Sequence, residues 1–178
     1  MRNALIAALS SLLLCSCALA PQRPVEGTPI GRGAAALETD KRNQFARQIE
    51  RVAERMRAVC VAPEYKAYFA KTACLPAGIT PKMMQDRSKI TAAQRKAAEQ
   101  VFKIARELND ETRRFMIETE LPAFKDDVEW SELHVDPQVE RLQKELLSGH
   151  STWGEYNTLR RRIADESLER IRRNGAGS

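Results

Sequence analysis

Residues 91–120 read TAAQRKAAEQVFKIARELNDETRRFMIETE, and this stretch decides the architecture. Thr91 followed by Gln94 is a capping box, in which each side chain serves the other's backbone N–H. Behind it Ala97, Val101, Ile104, Leu108, Thr112, Phe115 and Thr119 recur at spacings of 4, 3, 4, 4, 3 and 4. Ala105 and Met116 widen the stripe. That is the period of one helix face, sustained to Glu120, with Pro122 expected to end it. A helix of roughly 29 residues is about 43 Å long, so it sets the length of the molecule.

Working towards the N-terminus, Phe45, Ile49, Val52, Met56 and Val59 repeat at 4, 3, 4 and 3. They predict a first helix, capped by Thr39 or Asp40 and closed by Cys60. Pro63 suits the first turn of a second, short helix running to Ala73, with Cys74 behind it. Tyr65, Tyr68, Phe69 and Thr72 share its face. Thr80-Pro81 is a cap and first-turn proline for a single short helix through Gln85. Working towards the C-terminus, Phe124, Val128, Trp130 and Leu133 lack a period and are expected to be irregular, with residues 125–127 in a turn. Asp136-Pro137 opens a helix to Leu147 that Gly149 stops. Ser151 or Thr152 caps a last helix carrying Trp153, Tyr156, Leu159, Ile163, Leu168 and Ile171 inward, fraying from Asn174.

The composition agrees. The chain has 178 residues, 43% hydrophobic and 30% charged, with aromatics at 6% and Gly and Pro at 8 each. That suits one helical domain and argues against a turn-rich β sandwich. The fold expected is all-α: a compact bundle of about five helices, one long and central, over residues 39–174. The net charge of +5 permits an anionic surface without identifying one.

The N-terminus carries the compartment. Met1-Arg2-Asn3 is a basic start, and residues 4–14 are apolar or small, as in a secretory signal peptide. The run is too short to span a bilayer, which needs roughly 20 apolar residues. Leu14-Cys15-Ser16-Cys17 then resembles the lipobox of bacterial lipoproteins: Leu three residues before the Cys and a small residue directly before it. Cys15 departs from the usual middle residue at a permissive position. The resemblance implies that residues 1–16 are removed and that Cys17 carries the lipid. It also implies anchoring at the outer membrane, facing the periplasm, since Ala18 and not Asp follows. The competing outcome is ordinary cleavage after Ala18-Leu19-Ala20, which would leave Pro21 at the cut. Residues 17–38, with Pro21, Pro24, Pro29, Gly27, Gly31 and Gly33, are then expected to be a disordered tether.

If Cys15 is removed and Cys17 is acylated, Cys60 and Cys74 remain. An even remainder in an oxidising compartment reads as one disulfide, against the alternative of two free buried thiols. A closed loop of about 15 residues stabilises by about 3 kcal/mol in the chain-entropy account.

Candidate site residues fall in two groups. Tyr65, Tyr68 and Phe69 are either a platform for a partner or a core plug under the disulfide. Arg160, Arg161 and Arg162 begin a basic helix that either binds an anionic partner or is a solvated face. Residues 142–156 and Arg160 are similar to the helical-hairpin module known as SHOCT: a leucine helix, a Gly turn, a Thr cap, a Glu-aromatic pair and a basic residue. Ser151 stands where Ile is usual, and Gly154 interrupts the first turn. That resemblance implies assembly, including self-association through the C-terminal helices.

For chemistry the sequence offers little. Glu118, Glu120, Asp126, Asp127, Glu129 and Glu132 lie near His134 and Asp136 but lack the spacing of a known metal motif. His134 and His150 are the two histidines, too few for a zinc enzyme or a His-based hydrolase. No catalytic residue, metal or cofactor is expected, only covalent lipid on Cys17. Expected partners are the membrane and an envelope protein, without nucleic acid. The function expected is an accessory subunit of an envelope complex. An exclusion or inhibitor lipoprotein acting on a phage, conjugation or hydrolase partner is the alternative, and an enzyme the third.

Overall fold

A computed structural model describes residues 29–119 and 122–175. Within them the elements are all helical: α1 (Pro29–Val61), α2 (Lys66–Phe69), α3 (Pro81–Met84), α4 (Ala92–Glu118), α5 (Pro122–His134), α6 (Asp136–Leu147) and α7 (Trp153–Gly175). Short 3₁₀ turns at Pro63–Tyr65 and Pro76–Gly78 join them.

The capping box at α4 forms as its sequence dictates. Gln94 N–H donates to Thr91 Oγ1 at 3.3 Å, and Thr91 N–H to Gln94 Oε1 at 3.0 Å. Of the inward stripe Ala97, Val101, Ala105, Leu108, Thr112 and Met116 are buried, while Ile104 and Phe115 are half-buried. The helix spans about 40 Å and lies centrally, with α1, α2, α5 and α6 packed around it. α7 packs on α6, on α3 and on the 76–78 turn. Val52, Met56, Tyr68, Val101, Leu108, Leu146 and Trp153 belong to one core. Phe45, Ile49, Met116 and Val128 form a second cluster where α1, α4 and α5 meet. Two polar clamps sit beside these cores. Gln48 and Arg55 of α1 both bind the Glu111 carboxylate of α4. Arg113 of α4 reaches Ser131 of α5 at 3.0 Å and Asp136 of α6 at 2.6 Å.

Several expectations need correction. The first helix starts at Pro29, not at a Thr39 or Asp40 cap. Asp40 instead accepts a hydrogen bond from Gln44 one turn on, at 2.9 Å. The tether therefore cannot extend to residue 38, while residues 17–28 lie outside those described. The segment 124–133 is helical, not irregular. α4 ends at Glu118, and a proline at the first helical position starts α5. The helix hides from a periodicity search because it buries so little: Val128 is inside while Leu133 is 72% exposed. The second predicted helix is shorter than Pro63–Ala73, leaving the helical path after Phe69. At the C-terminus α7 stays helical to Gly175.

The expected stops hold elsewhere. Gly149 takes φ +76°, the left-handed conformation open to glycine, and His150 N–H returns to Glu145 O at 3.0 Å. Thr152, not Ser151, caps α7: Glu155 N–H donates to Thr152 Oγ1 at 3.2 Å and Glu155 accepts from Thr152 N–H at 2.6 Å. Thr80 caps α3 through Met83 N–H at 3.3 Å.

Truncating Leu146, which is fully buried, to Ala should cost about 2–5 kcal/mol in denaturant unfolding. Leu133→Ala on the weakly buried α5 should stay within about 0.5 kcal/mol. Equal losses at the two positions would contradict a solvent-facing Leu133.

Candidate functional site

The most organised polar chemistry surrounds the disulfide. Cys60 at the end of α1 and Cys74 are bonded, with Cα atoms 5.5 Å apart. Cys74 sits in a segment with little structure of its own. The N–H groups of residues 72–75 donate to no backbone carbonyl. What orders this segment comes from α7, whose first turns carry Trp153, Gly154, Asn157 and Arg160 along one side. Arg160 Nη1 donates to Thr72 Oγ1 at 2.9 Å and Ala73 O at 2.6 Å, and Nη2 to Cys74 O at 2.8 Å. Asn157 Nδ2 donates to Lys71 O at 2.9 Å and Met83 O at 3.1 Å, and its Oδ1 accepts from Thr72 Oγ1 at 2.5 Å. Trp153 N–H and Gly154 N–H reach Ser88 O and Asp86 O at 3.0 and 2.7 Å. A buried guanidinium facing three oxygens satisfies carbonyls that would otherwise be orphaned, and such charged bonds are the stronger kind.

Gly154 is required by contact. A Cβ there would stand 2.5 Å from Met84 O and 2.9 Å from Asp86 O. The glycine that breaks the SHOCT-like pattern is thus where two backbones touch.

Asp86 closes the far side. Lys71 Nζ donates to Asp86 Oδ2 at 2.9 Å and to Ser88 Oγ at 3.0 Å, and Ser88 N–H donates to Asp86 Oδ1 at 2.8 Å. In outline this is a Ser–Lys pair. Here the lysine is salt-bridged to a carboxylate and donates to the hydroxyl, so the trio serves as a clamp across the loop. Hydrogen bonds from Ser88 and Lys71 hold the Asp86 carboxyl down at about 2.

The aromatic candidates divide. Tyr68 is 2% exposed, stacked edge-on against Phe69 and Phe102, and shares a 2.6 Å hydrogen bond with the buried Tyr156 hydroxyl. Burial pushes both phenols above the ordinary tyrosine value, with Arg160 pulling the other way. The adjoining cavity is about 30 Å³, room for a water and nothing larger. Tyr68 is therefore a core plug, which corrects its place among partner-binding residues, while Tyr65 and Phe69 are half-buried at the margin. The arginines divide likewise. Arg160 is 7% exposed and engaged by the disulfide segment, so it is corrected from surface to interior. Arg161 pairs with Asp165 at 2.9 Å and also caps Ala77 O at 3.1 Å. Arg162 is exposed and lies 3.7 Å from Glu166.

The acidic stretch does not converge: among the described residues no three His, Cys, Asp or Glu side chains could hold a metal ion. Asp136 is bound by Arg113, and His134 packs beside Trp130, whose ring lies 4.6 Å from the Arg170 guanidinium carbon. Glu120 and Cys17 lie outside the described residues. Sequence reasoning missed Thr72, Asn157 and Gly154 as parts of one dock. Comparison with family models, curated proteins and solved structures finds no match to this chain.

Gly154→Ala should destabilise by about 1–3 kcal/mol through overpacking against backbone, read as a drop in thermal midpoint. Asp86 supplies a pH signature. Its folded value of about 2 lies below an unfolded value of about 3.9, so its stabilisation is present above pH 4 and lost as pH falls towards 2. The stability gap between the native chain and Asp86→Asn should shrink over that window. A gap independent of pH would contradict the clamp.

Proposed function

We propose that this chain is an exported lipoprotein of the bacterial envelope, anchored through acylated Cys17, whose helical domain binds or organises an envelope protein without catalysis. The observation that carries this reading is the sequence Leu14-Cys15-Ser16-Cys17 directly behind a basic start and an eleven-residue apolar run. A diacylated cysteine with a third chain would give the stable anchoring that a single chain does not. The Cys60–Cys74 bond supports the same compartment, since such bonds persist where the surroundings are oxidising. No described helix is long and apolar enough to cross a membrane, which leaves attachment in this reading to the lipid.

The helical domain suits a scaffold. Its most elaborate polar network joins its own elements together; the cavity beside the aromatic cluster has room for a water, and an open groove of about 900 Å³ lies against Asp86, Gly154 and Thr158. For a partner the reading favours the disulfide end, where Val61 is 82% exposed and Tyr65 and Phe69 are half-buried. α1 has 33 residues and is about 50 Å long, so this end stands far from Pro29, the end nearer the anchor.

Cys17→Ser tests the anchor. The native protein should fractionate with membranes and carry acyl mass on its N-terminal peptide, and the variant should lose both. Unchanged fractionation with no acyl mass in the native chain would overturn the reading.

A further inference from the structure

We infer that the Cys60–Cys74 disulfide is a redox-sensitive latch that controls the docking of α7, not only a staple between neighbouring loops. Residues 72–75 have no backbone ladder, so three external ties hold them: the disulfide to α1, the Arg160 guanidinium, and the Asn157 Oδ1, which accepts from the Thr72 hydroxyl. The last two belong to α7. Their acceptors are Thr72 Oγ1, Ala73 O and Cys74 O for Arg160, and Lys71 O and Met83 O for Asn157. Arg160 therefore binds the carbonyl of the very cysteine whose sulfur is bonded to α1. Freeing that sulfur releases the peptide groups on which α7 is seated.

The loss would spread along one side of the molecule. Once Ala73 O and Cys74 O leave Arg160, a buried guanidinium keeps only the Thr72 hydroxyl as acceptor, which is costly. Asn157 and Thr72 lose their mutual bond at the same time. The neighbouring contacts of Gly154 and Trp153 with Asp86 O and Ser88 O lie on the same connecting segment. The second core cluster of Phe45, Ile49, Met116 and Val128 contains no residue of this network. The molecule thus holds two units of different redox dependence, in the manner of local unfolding units. Both cysteines are half-buried and neither is sealed from solvent.

The chemistry is a two-electron exchange with a dithiol of the thioredoxin class. One thiolate of the reductant attacks a sulfur of the Cys60–Cys74 bond, forming a mixed disulfide and releasing the other cysteine. The second thiolate then closes the reductant's own disulfide. Cys60 and Cys74 each gain one electron and one proton and end as thiols.

Hydrogen exchange with peptide-level mass readout tests the latch on the whole chain, oxidised and after treatment with dithiothreitol. Thiol counting confirms reduction. Exchange should rise at least tenfold in residues 71–80 and 153–163, stay within twofold in residues 45–50, and return on reoxidation. Unchanged exchange at 153–163 with the bond shown to be open would overturn the inference. An equal rise at 45–50 would overturn it too, since the bond would then only support global stability. A Cys60→Ser, Cys74→Ser double variant, measured without reductant, should reproduce the reduced pattern; native-like protection at 153–163 there would also overturn it.

Discussion

A single guanidinium, that of Arg160, decides how the two halves of the chain meet. It is buried, and its hydrogen-bond partners are the Thr72 hydroxyl and the carbonyls of Ala73 and Cys74. The segment it holds has no regular structure that could order it from within. The disulfide fixes the same segment to the end of α1. One short stretch is therefore held covalently from one side and by charge-assisted hydrogen bonds from the other. The rest of the C-terminal packing follows from this seat. Trp153 enters the core with its Nε1 on Gln94, and Tyr156 meets Tyr68. Gly154 permits backbone contact with Met84 and Asp86.

Placing a permanent cation inside is costly unless its hydrogen bonds are made. Here the acceptors are the Thr72 hydroxyl and two carbonyls of a stretch that needed donors in any case. The arrangement resembles a helix cap supplied by a side chain distant in sequence. It also explains why removing any one tie should be felt by the others, because they act on the same four residues. By contrast, the cluster around Phe45 and Met116 is apolar packing flanked by the Glu111 and Arg113 clamps, and it contains no residue of the Arg160 seat.

Much of the fold was legible in sequence because it rests on local rules. The Thr91–Gln94 box, the α4 stripe, the Thr80-Pro81 start and the Gly149 stop all depend on residues within a few positions of each other. The disulfide was legible through cysteine arithmetic. α5 was not, because its buried face is too thin to leave a period. The early start of α1 was missed because Pro29, Gly31 and Gly33 suggest a loop by composition, and a proline at the first turn is compatible with a helix. The dock was the least visible part. Arg160 was grouped with Arg161 and Arg162 by adjacency, although Trp153, Tyr156, Arg160 and Ile163 follow at 3, 4 and 3 on the inward face. A polar residue on an apolar stripe is a signal for a buried bond. Its partner, eighty-odd residues away, cannot be read without the fold.

The central claim is that Arg160 and the disulfide hold one and the same segment. A double-mutant cycle in denaturant unfolding tests it directly, combining Arg160→Met with Cys60→Ser, Cys74→Ser. If the two ties share the segment, the losses should be non-additive by about 0.5–3 kcal/mol. Additive losses, within about 0.3 kcal/mol, would mean that the ties act independently and would contradict the account.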